Sequence, residues 1–238
     1  MADGNFGDFE IDEDLDFEAP PKRGGKRDPV KAAPSARDLA ADLALTLPTD
    51  RDELLRIATG ALVDYDAAIV RDQESAAEDA RRLYDATIFR MNGDTWFASF
   101  GSDDAPGYAV ARHTAALPGE TPRWNQKGAL RVEADGVVAA LACKGGFDLG
   151  GQYSWHALEL DKPFFSSTGY LSYLGPPVIW GATLQEAAAV WMRAVIRGER
   201  KLAIMPPDSF VRTRPLEYGH LIHAPVHSAP AGLMAFPF

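Results

Sequence analysis

The chain reads Ala129-Leu-Arg-Val-Glu-Ala-Asp-Gly-Val-Val-Ala-Ala-Leu-Ala-Cys143 across its middle. Two short runs rich in apolar residues, 129–133 and 137–143, flank an Asp-Gly pair. Asp135 and Gly136 tolerate the positive φ angles that a tight hairpin turn requires. This stretch therefore predicts an antiparallel β-hairpin.

Similar runs lie on both sides of the hairpin. Residues 95–100, 108–114 and 153–160 are short, rich in apolar residues and separated by Gly, Pro and Asp. Runs of this kind at such close spacing are typical of strands that pair with their neighbours along the chain. We therefore expect an antiparallel β-meander that begins after Asn92.

Helical patterns precede the meander. Leu39, Leu43 and Leu47 lie at four-residue spacing, and Pro48 ends that pattern. Further helical spacing begins after Thr49 and again at Ser75, which predicts two or three helices before residue 90.

The clearest helix spans residues 183–197. Thr183 and Glu186 form a capping box, apolar residues follow at helical spacing, and Gly198 can end the helix. Helices, then strands, then one long helix in the C-terminal half predict an α+β protein whose antiparallel sheet has helices on one face.

The first eighteen residues contain eight acidic residues and no Lys or Arg. Charge repulsion and sparse apolar residues predict a disordered acidic N-terminal tail. Aromatic rings between the acids would allow this tail to dock on a partner protein with a basic groove. The residues expected to dock are Phe6, Phe9, Asp12, Asp14 and Phe17.

A linker rich in Pro and Gly, with five basic residues, follows the tail at residues 19–36. The predicted organisation is therefore a disordered acidic tail and basic linker over 1–36 and a single α+β domain over 37–238. About 200 residues are ample for one hydrophobic core.

The net charge of -10 is unevenly distributed along the chain. Residues 1–18 carry -8, residues 19–106 carry -4, and residues 107–238 carry +2. The alternative to a protein partner is thus a nucleic-acid-associated protein, in which the tail covers a basic face of the C-terminal half. The small positive charge of that half makes nucleic acid the less favoured partner.

Simple features of the sequence limit the other partners and the cellular compartments that we expect. No apolar run reaches the roughly 18 residues needed to span a bilayer, so we expect no membrane association. The single cysteine, Cys143, excludes an internal disulfide and fits a reducing compartment. The acidic N-terminus does not resemble an export signal, and the expected location is the cytoplasm.

Residues 163–180 combine aromatic rings with hydroxyl groups. Tyr170, Tyr173 and Trp180 are candidates for a second partner-binding surface, because exposed aromatic side chains often anchor protein interfaces. They could also stack on bases, but Lys162 is the only adjacent basic residue.

Two groups of residues are candidates for chemistry. His220, His223 and His227 are spaced so that they could share a zinc ion, although Pro225 makes the segment irregular. Cys143 could be a nucleophile if a histidine approached it, or it could be a packed residue at the end of an apolar strand. A hydrolase with a Cys or a His-bound metal centre therefore stays open as an alternative.

The main interpretation from sequence is a non-catalytic protein-binding regulator or inhibitor without a cofactor. The acidic aromatic tail and the aromatic surface of the α+β domain would bind the partner. By analogy, small acidic proteins of this kind act as inhibitors encoded by mobile elements such as bacterial phages and plasmids.

Overall fold

A computed structural model of the chain shows an α+β fold, as the sequence predicts. The tail residues lie outside the part of the chain that it describes. Described are residues 33–147, 152–159, 162–174, 176–198, 202–204, 218–222 and 224.

Three helices precede residue 92: α1 (Ala36–Ala44), α2 (Arg51–Val70) and α3 (Glu74–Met91). Ser35 begins α1 with a capping box, and the Asp50 carboxylate accepts a hydrogen bond from the backbone N–H of Glu53 at the start of α2. Both α1 and α2 pack against α3.

Two predicted strands are absent from the structure. Residues 95–100 form a loop, and residues 108–114 fall mostly within helix α4 (Pro106–His113). Pro106 occupies the first helical position, where its missing N–H costs no hydrogen bond. The apolar alternation that suggested a strand is also compatible with the buried side of a short helix, on which Ala109 and Val110 lie.

The central hairpin is confirmed. Strands β1 (Gly128–Ala134) and β2 (Val137–Cys143) pair in antiparallel fashion, with Ala134 opposite Val137. Asp135 and Gly136 form the turn with φ angles of 49° and 79°, in the left-handed region that the Asp-Gly pair was expected to occupy.

The sheet extends from this hairpin in the order β1-β2-β3-β5, with all neighbours antiparallel. Strands β3 (Gln152–Ala157) and β5 (Tyr170–Leu174) complete it. A separate pair is formed by β4 (Pro163–Phe164) and β6 (Ala203–Ile204).

Helix α5 (Leu184–Arg197) starts at the predicted capping box of Thr183 and Glu186 and packs against β1. The face of the sheet that carries Leu130, Leu141 and Trp155 belongs to the main core, together with α2, α3 and α5. Trp124 joins these parts: its backbone N–H donates to the Asp66 carboxylate on α2, and its indole N–H donates to the carbonyl of Ala182 just before α5.

The other side of the sheet, which we call the second face, follows from strand alternation. It carries Ala129, Ala140, Ala142, Ser154, His156 and Tyr170. A 3-10 turn (Gly219–Leu221) covers part of it, since Leu221 packs with Ala140 and Leu158.

No helix in the described part of the chain is both long enough and apolar enough to cross a membrane.

Candidate nucleic-acid interface

Three helices converge at one corner of the helical half: the start of α2, the end of α3 and the start of α4. A cavity of about 160 Å³ lies between them. Arg51 and Arg90 bring two guanidinium groups to its wall, and Asp104 contributes a carboxylate. Thr49, Pro106 and Ala109 also line the cavity.

Arg90 is held in a fixed orientation by Asp94. Its Nη1 donates to both carboxylate oxygens of Asp94, at 3.0 and 2.7 Å. Its Nε is buried and has no hydrogen-bond partner among the described residues. A buried donor without an acceptor costs about 1–3 kcal/mol, and an anionic ligand would contact the exposed part of the Arg90 guanidinium and not this atom.

The N-terminus of α4 adds partial positive charge to the same corner. No side chain caps it, because the residue in the N-cap position is Ala105. The helix dipole and both guanidinium groups attract negative charge to this place, although Pro106 carries no N–H and the Gly107 N–H donates to the carbonyl of Ser99.

The segment between α3 and α4 leaves from this corner and presents an exposed aromatic ring. The side-chain amide of Asn92 donates to the carbonyls of Thr95 and Phe97, at 2.7 and 2.9 Å, and contacts Ser99 Oγ at 3.1 Å. This amide therefore organises the loop from inside. The Phe97 side chain points away from it and is 85% exposed.

Neighbouring aromatic residues anchor the loop on both sides of Phe97. Trp96 packs on Phe89 of α3, with ring centroids 4.8 Å apart, and the guanidinium of Arg37 lies over Trp96 at 5.6 Å. On the other side, the ring of Phe100 covers Gly107 so closely that a Cβ there would overlap it. The exposure of Phe97 is thus a property of an ordered loop.

The remaining part of the loop is fixed by α4. Arg112, in the last turn of this helix, donates from its guanidinium to the carbonyl of Asp103. The backbone N–H of Gly107 donates to the carbonyl of Ser99 at 2.9 Å. We use the name corner interface for Arg51, Arg90, the N-terminus of α4 and the loop with Phe97.

Net charge gives no sign of this interface. Residues 39–113 contain seven arginines against fourteen acidic residues, a balance of -7. Several acidic residues lie in the first turn of a helix, where they interact favourably with the helix dipole. Examples are Asp52, Glu53 and Glu74. The corner brings two guanidinium groups together within an acidic region, next to the carboxylates of Asp94 and Asp104.

The aromatic residues predicted as one surface do not come together. Tyr170 and Tyr173 lie on opposite sides of β5, because three positions separate them along a strand. Tyr173 joins the main core with its ring 6.2 Å from that of Trp191, and Trp180 lies in the turn before α5. Their role in partner binding stays a prediction.

The predicted tail contacts, Phe6, Phe9, Asp12, Asp14 and Phe17, lie outside the described residues, as do His223 and His227. His220 is exposed in the 3-10 turn. Within the described residues no cluster of His, Cys, Asp or Glu is arranged to hold a metal ion. Cys143 is buried, and burial raises the pKa of its thiol, which keeps it protonated at neutral pH.

Comparisons with known proteins converge on one family. Residues 39–113 match the family described as KlcB N-terminal DNA-binding domain. Two Escherichia coli proteins named Protein KlcB are similar to this chain: one is 42% identical over 136 residues, 56% of this chain and 34% of that protein. The other is 34% identical over 165 residues, 68% of this chain and 35% of that protein.

The chain thus spans about a third of the length of these curated relatives. No solved structure matches it. The family match begins in α1 and ends with the last residue of α4, so it includes the whole corner interface.

These matches correct the sequence interpretation. The prediction of a protein-binding regulator or inhibitor, with a protein partner preferred over nucleic acid, is wrong, because the matched family is described by DNA binding. The inhibitor role that the analogy to proteins of mobile elements suggested is wrong for the same reason, whereas an origin on a mobile element stays a prediction. The error arose because the interpretation relied on net charge. The acidic tail carries most of the negative charge, and the matched region is itself acidic, so its arginines do not appear in the charge balance.

Sequence reasoning also missed Phe97 and its loop. A usable signal was present, since Asn92, Gly93 and Asp94 form a strong turn signal directly before two consecutive aromatic residues. A turn followed by Trp96 and Phe97 allows one ring to be exposed to solvent while the other packs against the protein.

Proposed function

We propose that this protein binds DNA through the corner interface. The observation that carries the proposal is the match of residues 39–113 to a DNA-binding family, over the same helices that build the corner. The geometry supplies the two kinds of contact that such binding needs, to phosphate and to base.

The cavity between α2, α3 and α4 would receive a backbone phosphate. Arg51 is exposed at the first position of α2, and the partly exposed side chain of Arg90 lines the cavity from α3. Charge-assisted contacts from two guanidinium groups and a helix N-terminus fix the register of a protein on DNA without reading its sequence.

Phe97 would contact the bases. Exposed Phe side chains act as wedges between base steps of a duplex, or stack on unpaired bases. Because the loop is already ordered by Asn92, little conformational entropy would be lost when the ring inserts.

The excess of acidic residues in this region affects the expected affinity for DNA. Carboxylates such as Asp94 and Asp104 lie next to the arginines and reduce the long-range attraction to DNA. We therefore expect binding that depends on short-range contacts at the corner, with a shallow dependence on salt.

The test measures DNA affinity by fluorescence anisotropy with duplex and single-stranded oligonucleotides over a series of salt concentrations. Phe97→Ala should weaken binding by the cost of one lost stacking contact, about 1–3 kcal/mol. Arg51→Ala should weaken binding and reduce the slope of log affinity against log salt by roughly 1, since one phosphate contact is removed.

Matched controls exist for both variants. Leu45 is an exposed apolar residue of the helical half, at 67%, and Leu45→Ala should leave DNA affinity unchanged. Arg56 lies five residues after Arg51 on α2 and is paired with Glu53, so Arg56→Ala should keep the salt slope. Equal losses in a variant and its control, or no DNA binding by the unaltered protein, would refute the proposal.

Two expectations from the sequence belong to this proposal as well. A single α+β domain over residues 37–238 would carry the interface, and a cytoplasmic location would give it access to DNA. Limited proteolysis and cell fractionation test these expectations.

A further inference from the structure

A second cavity lies on the opposite half of the fold, on the second face of the sheet. Its volume is about 630 Å³, within the range of roughly 300–1,000 Å³ that is usual for small-molecule sites. We call it the sheet groove. Its floor is made by Ala129, Ala142 and Ser154, and its walls carry Lys127, Lys144 and His156.

Two lysines meet at one end of the sheet groove. The β1–β2 register pairs Gly128 with Cys143, and Lys127 and Lys144 are the residues directly before and after this last pair. Both are exposed and line the groove. Two ammonium groups that line one cavity attract an anion, and each can make a charge-assisted hydrogen bond to it.

The backbone at this end is shaped to bring the lysines close together. Gly145 adopts a φ of 77°, and a Cβ there would lie 2.8 Å from the backbone nitrogen of Lys127. Only glycine allows the chain after β2 to pass so near to β1. The close approach places Gly145 against the backbone of Lys127, one residue from Lys144.

Aromatic rings form the other end of the sheet groove. The His156 ring lies between two tyrosines, with its centroid 5.3 Å from that of Tyr170 and 4.7 Å from that of Tyr218. Ser154 Oγ lies 2.8 Å from His156 Nε2, which fixes the imidazole in the wall. Such a wall offers flat apolar surface together with hydroxyl groups.

The floor carries small side chains, which leave room for a planar ring to lie against it. Ala129 and Ala142 present only methyl groups to the groove, between the lysine end and the aromatic end. Glu120 is on the rim, and its carboxylate contacts the backbone N–H of Leu117 at 3.4 Å. The groove thus has a cationic end, an apolar floor and an aromatic end in sequence.

From this arrangement we propose that the sheet groove binds a phosphorylated nucleoside. The phosphate contacts Lys127 and Lys144, and the base lies over the alanine floor against Tyr170 and Tyr218. The same chemistry is present in a free nucleotide and in a unit of single-stranded nucleic acid. The site begins at Ala116, beyond the family match, and does not depend on the corner interface.

The test uses isothermal titration calorimetry of the full chain with deoxyadenosine monophosphate, inorganic phosphate and a short single-stranded thymidine oligonucleotide. The mononucleotide should bind more tightly than inorganic phosphate. Similar affinity for mononucleotide and oligonucleotide identifies a free nucleotide as the source, whereas much tighter oligonucleotide binding identifies a strand. Equal affinity for phosphate and mononucleotide, or no binding of either nucleotide probe, would overturn the proposal.

Variants locate the site. Lys127→Ala and Lys144→Ala should each weaken mononucleotide binding roughly tenfold, as expected for loss of one charge-assisted contact. Lys162→Ala, an exposed lysine outside the groove, is the matched control and should bind like the unaltered protein. Ala142→Leu keeps both lysines but fills the floor, so it should also weaken binding. Unchanged affinity in the lysine variants would place the nucleotide elsewhere and refute the site.

The proposal of DNA binding at the corner interface and the proposal of nucleotide binding in the sheet groove can be refuted independently. Lys127→Ala should keep duplex binding, and Phe97→Ala should keep mononucleotide binding. Thermal unfolding of each variant shows whether the fold is retained, and Ala142→Leu is interpreted only together with the surface lysine variants.

Discussion

The corner interface and the sheet groove have opposite relations to the charge of their surroundings. The corner lies in a helical region with a balance of -7, and its two arginines, Arg51 and Arg90, lie beside the carboxylates of Asp94 and Asp104. The groove lies in the half of the chain with a balance of +2, and its two lysines adjoin the last residue pair of β1 and β2. Regional charge therefore indicates the groove and conceals the corner.

The two sites also differ in how they present aromatic rings. At the corner one ring, Phe97, extends into solvent from a loop that is ordered internally. In the groove Tyr170 and Tyr218 lie in a wall against His156. A projecting ring suits insertion into a polymer, whereas a recessed wall suits enclosure of a single base.

The largest expected effect tests whether the two regions share one core. Trp124 is fully buried and bonds to Asp66 of α2 and to Ala182 before α5. Trp124→Ala should lower the free energy of unfolding by about 3–5 kcal/mol, because a large cavity and an unpaired carbonyl are left. Urea unfolding followed by circular dichroism measures the loss.

If the regions share a core, Trp124→Ala should keep a single unfolding transition with a lower midpoint. Two separated transitions would show that the helical half and the sheet unfold independently, contrary to this account. Trp124→Phe is the milder control, since it retains much of the apolar volume and loses only the indole N–H.

An intermediate effect separates the two sites. Gly107→Ala places a methyl group against the Phe100 ring, which must move and take the loop with it. Overpacking of this kind costs about 1–3 kcal/mol in stability. DNA affinity should fall in anisotropy measurements, while mononucleotide binding in calorimetry should be retained.

Gly60 provides the matched glycine. It lies on the exposed side of α2, and a Cβ there meets no atom within 4 Å. Gly60→Ala should raise stability by about 0.5–1 kcal/mol and leave DNA binding unchanged. A similar loss of DNA binding in both variants would contradict the role given to the loop.

The smallest effect concerns the boundary between core and groove. Cys143 borders the groove but is buried, and burial raises the pKa of its thiol. A disulfide reagent at neutral pH should react slowly with the native protein, roughly in proportion to the fraction that opens transiently, and rapidly in urea. Fast reaction in the native state would show that the groove floor is open.

The same thiol affects stability at high pH. Because its pKa is raised on folding, the folded protein retains a proton that the unfolded chain releases, so stability falls above about pH 9. Tyr84 and Tyr153, whose pKa values burial also raises, contribute in the same direction at higher pH. Cys143→Ala should remove only the first part of this loss in urea titrations.

Local sequence signals predicted much of the fold. The Asp135-Gly136 turn and the capping box of Thr183 depend on interactions within a few residues, and the structure confirms both of them. Residues 95–100 and 108–114 were assigned wrongly because short apolar runs fit a strand and a helix equally well. Their structure depends on Asn92 and on the Phe100–Gly107 contact.

Neither site could be read from the sequence, because each is assembled from distant elements. Arg51 and Arg90 are separated by 39 positions along the chain, and they meet only because α2 and α3 pack side by side. Lys127 and Lys144 come to line one cavity through the hairpin register, since they adjoin the last residue pair of β1 and β2. Composition could show that half of the chain is slightly basic, but not where two cations adjoin an aromatic wall.

The most direct test of the central claim is photo-cross-linking of the protein to duplex and single-stranded oligonucleotides that carry halogenated uracil, followed by peptide mass spectrometry. The account predicts cross-links in the loop between α3 and α4, centred on Phe97, and their loss in Phe97→Ala. Cross-links confined to other helices or to the sheet, with this loop unmodified, would contradict it.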